Sequence, residues 1–311
     1  MNKTVIAIMG PTAVGKTKLS IEIAKRFNGE IISGDSMQVY KQMNIGTAKI
    51  KKEETEGIPH HMIDIRRPDE EFSVADFQAH VKKYIDDILS RGKLPIIVGG
   101  SGLYIQAALY DYNFSNQKRD ESISKKLEAQ VRKEGITTLY HQLKAVDPQA
   151  ADKIHPNNHR RVIRAMEIYE TTGITMTEYQ KEQQLESPYN LILVGLEMDR
   201  ELLYKRINER VDDMMEQGLL GEVKALYEQG YEHFQSMRAI GYKEFIPYFK
   251  NQQTLEESVE LLKRNSRRFA KRQFTWFKNK MNITWYELAP ETIDEKFSMI
   301  LQDLAGFLEK K

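Results

Sequence analysis

The chain has no cysteine among its 311 residues. Disulfides, thiolate nucleophiles and cysteine-bound zinc are therefore excluded. No apolar run approaches membrane-spanning length, so no membrane partner is expected. The first residues lead straight into an apolar strand and a glycine loop, which is not the layout of a signal peptide, and a cytoplasmic location is expected. There is no internal repeat and no low-complexity segment. An excess of one charge is missing too. Lys and Arg number 46 against 45 Asp and Glu, a net charge of +1. That balance argues neither for nor against a nucleic-acid partner. What remains is 41% hydrophobic and 29% charged, a globular composition long enough for a large core and a second unit.

The most informative segment is Gly10-Pro11-Thr12-Ala13-Val14-Gly15-Lys16-Thr17. It matches the phosphate-loop pattern G-x-x-x-x-G-K-[ST]. The apolar run Val5 to Met9 precedes it, and Leu19, Ile23, Ala24 and Phe27 follow at helical spacing. Strand, glycine loop and helix form the context the motif needs. Successive N–H groups can then wrap a phosphate at the positive end of the helix. Lys16 adds a mobile charge, and Thr17 is a candidate ligand for Mg2+. The loop alone does not separate a kinase, an NTPase and a transferase that releases diphosphate.

Further strands are expected at Glu30 to Ser33 and Leu94 to Val98, each ending in glycine. Ser73 and Asp76 form a capping box that opens a helix between them. This alternation predicts an α/β fold, a P-loop NTPase-like parallel sheet core flanked by helices. Ligands of such sheets sit beyond the carboxyl ends of the strands, so Gly10, Asp35 and Gly99 should converge on one crevice. From 115 to 189 no strand is evident, and a helical insertion domain is expected there. Residues 1–114 and 190–311 then form the core. Leu191 to Leu196 returns as a strand, a long helix carries Leu203, Ile207 and Val211, and Ile283 to Tyr286 reads as a last strand.

Several segments offer chemistry besides the loop. Asp35 ends the second strand and reads either as a turn aspartate or as a carboxylate placed to take a proton. Gly99-Gly100-Ser101-Gly102 lets backbone approach a ligand, with the Ser101 hydroxyl beside it, or is simply a tight turn. The strand before it ends in glycine where a P-loop hydrolase usually carries an aspartate for magnesium, which weakens an NTPase reading. Adjacent His60 and His61 point to opposite faces and make a poor metal site. From Leu261 to Lys280 there are eight basic residues and no acid. Arg264, Arg268, Lys271 and Lys278 form a stripe on one helix face, joined by Arg272 and interleaved with Phe269, Trp276 and Phe277, a pattern that suits a polyanion. Arg160, Arg161 and Arg164 are either a solvated helix face or phosphate contacts.

Taken in order, GPTAVGKT, SGDSMQVY with GTAK, PHHMID, GGSGLY, HRRVIRAMEI, MRAIGYKE and RRFAKRQFTWF resemble the tRNA dimethylallyltransferase family, also called tRNA isopentenyltransferases. The resemblance runs from about residue 5 to about residue 280. Ser101 stands where the family commonly has threonine, and Val14 where serine is frequent. The resemblance implies transfer of the dimethylallyl group of dimethylallyl diphosphate to N6 of the adenosine 3′-adjacent to the anticodon, in tRNAs reading codons that begin with U. It implies diphosphate binding by Gly10 to Thr17 with Mg2+, and catalytic roles for Asp35, Ser101 and Lys16. Contacts to the tRNA anticodon stem-loop would fall on Asp35, Ser36, Met37, Gln38 and Ser101. Others would fall on His159, Arg160, Arg161, Val162 and Ile163, on Arg238, Gly241, Tyr242 and Lys243, and on the basic helix. The insertion domain would clasp the stem-loop, with the chain acting as a monomer.

Three rivals remain at this level: an enzyme prenylating free adenine nucleotides, a P-loop small-molecule kinase, and a non-catalytic RNA-binding NTPase switch. The basic helix and the insertion argue against the first two, because a nucleotide-sized substrate needs neither.

Overall fold

The structure, a computed structural model, describes residues 3–112, 121–182 and 186–309. The expected start of the insertion at 115 lies outside the described residues. Two compact units are present: Met1–Leu109 with Ser187–Lys311, and Tyr110–Glu186.

In chain order, the larger unit begins with β1 (Thr4–Met9), α1 (Lys16–Arg26), β2 (Gly29–Ser33), β3 (His60–His61), α2 (Val74–Ser90), β4 (Leu94–Gly99) and α3 (Gly102–Leu109). The smaller unit contains α4 (Glu121–Glu134), α5 (Ile136–Val146), α6 (Pro148–Lys153), α7 (His159–Thr172) and α8 (Met176–Glu182). The larger unit resumes with β5 (Asn190–Met198), α9 (Arg200–Glu216), α10 (Leu219–Glu228), α11 (Ile246–Phe249), α12 (Leu255–Lys280), β6 (Thr284–Leu288) and α13 (Ile293–Glu309).

The six strands form one parallel sheet in the order β3-β2-β4-β1-β5-β6. β1 lies inside it, paired on one side with β4 (Ile6 beside Ile96) and on the other with β5 (Ile6 beside Ile192). Val5 to Met9 are fully buried, which is why their sequence is a continuous apolar run rather than an alternating one. α2 opens on the reciprocal capping box, with the Ser73 hydroxyl accepting from the Asp76 N–H and the Asp76 carboxylate accepting from the Ser73 N–H. Phe77, Val81, Ile85 and Ile88 of α2 are buried at helical spacing.

The two edge strands differ from the sequence reading. β3 was not expected as a strand. It is two residues long and exists because Ile31 and Ile32 of β2 offer it pairing partners, a long-range fact that no local pattern carries. β6 starts one residue later than expected and runs on to Leu288.

The smaller unit is helical in all its described elements and has its own core, in which Leu127, Leu139, Leu143, Val162, Ala165 and Met166 pack together. Asp147 caps α6 through the Ala150 N–H, and also accepts from the N–H and hydroxyl of Thr177, tying α6 to α8.

Candidate active site

The exits of β1, β2 and β4 open on a crevice of about 980 Å³ in the larger unit. The phosphate loop forms one wall. Gly10 has φ +148°, and a Cβ there would lie 2.4 Å from the Leu196 carbonyl oxygen of β5, so only glycine lets the loop leave the sheet this closely. α1 then starts directly at Lys16, aiming its free N–H groups at the loop. The Lys16 ammonium lies back across the loop, donating to the carbonyls of Gly10 (2.9 Å) and Pro11 (2.6 Å).

Asp35 lines the same crevice from the end of β2. One of its carboxylate oxygens accepts the Met37 N–H at 2.8 Å. This turn bond occupies one lone pair and leaves others on the carboxylate available to a further donor. Burial pushes the Asp35 carboxyl above its ordinary value, against the Met37 N–H bond and the charge of Lys16. Burial brings Lys16 down to about 7, helped by the positive charge of Arg210 and partly offset by Asp35. Each group thus feels the other across the crevice.

The β2 and β4 exits touch backbone to backbone. The Gly34 N–H donates to Val98 at 2.7 Å, and a Cβ on Gly99 would fall 2.3 Å from the Gly34 carbonyl carbon. Ser101 locks this junction: its N–H donates to the Gly34 carbonyl, and its hydroxyl accepts the Ser36 N–H at 3.1 Å. Ser36 and Met37 are half-buried. Gln38 lines the crevice and donates to the carbonyls of Thr47 and Ala48.

Sequence reasoning missed three side chains at the loop. Gln273 of α12 accepts the Thr12 N–H (3.0 Å) and donates to the Gly100 carbonyl (3.1 Å), bridging the two glycine loops. Its signal was a polar residue on the buried stripe that Leu262, Ala270 and Phe277 define. Arg206 donates to the Ala13 carbonyl, and Arg210 reaches the Thr12 hydroxyl at 3.4 Å. These two sit one turn apart on α9, where the apolar spacing drew attention instead.

Of the expected nucleic-acid contacts, Arg264, Arg268, Lys271 and Arg272 are exposed on α12. Lys263 and Arg267 instead face α9, pairing with Asp212 and with the Asn208 side-chain oxygen. Lys278 is exposed but tethered: it pairs with Glu197 at 3.0 Å and lies 4.2 Å over the Trp285 ring. Arg238 and Lys243 are exposed, whereas Gly241 and Tyr242 are buried. The Tyr242 hydroxyl is held by Glu222 at 2.6 Å, so its side chain serves the interior rather than a surface contact. In the smaller unit His159, Arg160 and Arg161 are exposed, Ile163 is half-buried, and Val162 belongs to the core. An apolar residue at that turn is needed to seat α7, which explains its burial.

Among the described residues no group of three or more His, Cys, Asp or Glu is placed to hold a metal. A magnesium ion carried in on a diphosphate takes only one or two protein ligands. Thr17, exposed and lining the crevice, offers one such oxygen. No helix among the described residues is long and apolar enough to cross a membrane.

A family model described as IPP transferase matches residues 38–280. The chain is 66% identical to the tRNA dimethylallyltransferase of Oceanobacillus iheyensis, covering 100% of this chain and 99% of that protein. It is similar to the crystal structure of the full-length tRNA isopentenylpyrophosphate transferase from Bacillus halodurans, with a TM-score of 0.75 and 51% identity over 99% of this chain and 98% of that one. It is also similar to a eukaryotic dimethylallyltransferase solved acting on tRNA, with a TM-score of 0.81 and 36% identity over 94% of this chain and 75% of that one.

Proposed function

The chain belongs to the IPP transferase family, and from that premise we propose how it works as a tRNA dimethylallyltransferase. It transfers the dimethylallyl group of dimethylallyl diphosphate to N6 of an adenosine in tRNA. We assign the target as the adenosine 3′ to the anticodon, in tRNAs reading codons that begin with U. One observation supports the reading most: a single crevice holds both a phosphate-gripping loop and a desolvated carboxylate, Asp35.

The adenine amine is a weak nucleophile because its lone pair is delocalised into the ring. Its attack forms the N6–C1 bond as the C1–oxygen bond to diphosphate breaks. The N6 proton passes to Asp35, whose raised proton affinity suits a general base. Departure of diphosphate concentrates negative charge at the loop. The free N–H groups of α1, Lys16, Arg206 and Arg210 stand there to stabilise it. A diphosphate oxygen takes over the Lys16 ammonium from the Gly10 and Pro11 carbonyls. Thr17 would hold a Mg2+ carried in on the diphosphate, which would supply further charge neutralisation there. Ser101 keeps the Ser36 N–H, and with it the Asp35 turn, in register.

The amine is inaccessible inside a stacked anticodon loop, so the base is flipped out to reach Asp35. Unstacked loop bases are also what proteins read most readily in RNA. Arg264, Arg268, Lys271 and Arg272 on α12, with Arg160 and Arg161 of the helical unit, supply phosphate contacts to the anticodon stem-loop. We take one chain to serve one stem-loop as a monomer, in the cytoplasm.

The test is to offer dimethylallyl diphosphate with tRNA and, separately, with free AMP, ADP and ATP. Digested tRNA should contain N6-dimethylallyladenosine, with diphosphate released in equal amount. Prenylated nucleotides without prenylated tRNA reject this reading.

A further inference from the structure

The segment 44–48, of which Asn44, Ile45, Thr47 and Ala48 line the crevice, is held by a carboxylate that no step above uses. Glu222 lies on α10. It accepts three consecutive backbone N–H groups, those of Asn44 (2.9 Å), Ile45 (2.9 and 3.1 Å) and Gly46 (3.1 Å). It also accepts the buried Tyr242 hydroxyl at 2.6 Å. Three successive N–H groups converging on one anion form a nest, a concave site that binds negative charge. Here the protein fills the nest with its own side chain. Tyr242 is bound in turn to this arrangement: burial, then the Glu222 charge, push its hydroxyl pKa far up, so it stays a neutral donor.

The grip carries through to the reacting carboxylate. The carbonyls of Thr47 and Ala48 each accept from the Gln38 amide, at 3.2 and 3.3 Å. That fixes the Gln38 oxygen toward Ser33, whose hydroxyl donates to it at 2.8 Å. The same Ser33 hydroxyl accepts the Asp35 N–H at 3.3 Å. We infer that Glu222 is a positioning residue for the transfer, acting through segment 44–48, Gln38 and Ser33 to set the place of Asp35 in the crevice.

The relay is separate from the diphosphate machinery. None of its members donates to or accepts from the phosphate loop, which Gln273, Arg206 and Arg210 brace instead. Loss of Glu222 should therefore lower kcat while sparing donor binding. A displacement of about 1 Å at a reacting group is enough for a large rate loss.

The inference rests on the transfer reaction proposed above, so the unaltered chain is assayed alongside. Transfer undetectable in that control rejects the reaction itself rather than the relay. The variants are Glu222→Ala, Glu222→Gln, Gln38→Met and the double Glu222→Gln/Gln38→Met. Rates are counted per diphosphate-binding site, titrated calorimetrically with the donor, so that misfolded chains do not enter. Glu222→Ala should lose about tenfold or more in kcat, with the KM for dimethylallyl diphosphate unchanged within about twofold. Glu222→Gln keeps one acceptor oxygen and should recover part of the loss. Because both residues act through one chain of bonds, the double variant should be no slower than its slower single parent. The cycle does not depend on Glu222→Ala being foldable. An unchanged kcat in Glu222→Gln, losses that multiply in the double variant, or a donor KM that rises in step with the loss of kcat each overturn the relay.

Discussion

Lys16 and Asp35 share a desolvated crevice, and burial moves both toward the neutral form: the lysine down to about 7, the aspartate upward. Two predictions belong to this scale. Asp35→Asn keeps the Met37 turn acceptor but cannot take the N6 proton. Its kcat should fall by about 10²–10⁴, with tRNA affinity unchanged in a filter-binding titration. An unchanged kcat removes Asp35 from proton transfer. Lys16 predicts a pH dependence of donor binding. Above about pH 7 the empty site holds Lys16 neutral, while a bound diphosphate favours its charged form. Binding should then take up a proton, and donor affinity should weaken as pH rises from about 7 toward 10. Calorimetry in buffers of different ionisation enthalpy measures the uptake, and Lys16→Met should abolish the Lys16 part of it.

Elements place these side chains, and one ion cluster around a buried carboxylate shows what holds the elements. Glu30 of β2 has a side chain 2% exposed. It accepts two bonds from Arg91 at the end of α2, one from Lys93 before β4, and meets His61 of β3 at 2.8 Å. Arg91 first, with Lys93 and His61, holds its carboxyl far below the ordinary range, outweighing the cost of burial. A depressed folded-state value stabilises the fold above the unfolded value of about 4.5 and withdraws that stability as pH falls below it. Glu30→Gln should cost about 1–3 kcal/mol at pH 7. Urea unfolding from pH 7 to pH 3 should show a shallower decline for the variant than for the parent. Equal slopes mean that the cluster contributes nothing to acid stability. The same strands show why position was legible where pairing was not. β1, β2 and β4 announce themselves by apolar runs ending in glycine, while β3 depends on its neighbour alone.

For the whole chain, near-zero net charge conceals a division of labour along α12. Arg264, Arg268 and Lys271 are exposed, whereas Lys263, Arg267 and Lys278 are occupied by Asp212, Asn208 and Glu197. Neutralising the first three should weaken tRNA binding and flatten its logarithmic salt dependence by about 2 to 2.7 if each meets one phosphate, at roughly 0.7–0.9 per contact. Neutralising Lys263 and Arg267 should flatten it less. Equal slopes for both triple and double variants would mean that the exposed face does not meet phosphate. From sequence, Arg264, Arg268, Lys271 and Lys278 read as one basic stripe, but only the packing of α9, β5 and β6 separates the bases facing solvent from those already paired.

What the sequence determined by itself is the chemistry that is local or periodic. The phosphate loop with its strand and helix, the capping box of α2, the parallel-sheet rhythm and the helical pattern of the described middle elements all follow from neighbours within a few turns, where sterics and hydrophobic period act directly. Tertiary structure alone decided the contacts made across the chain. Gln273 meets Thr12 and Gly100, Arg210 meets Thr12, Glu222 fills a nest 176–178 residues away, and Tyr242 turns inward rather than outward. Each is a hydrogen bond between groups that folding brings together after burying them. A buried donor or acceptor must find a partner, and which one it finds depends on the packing of helices against the sheet, not on its sequence neighbours.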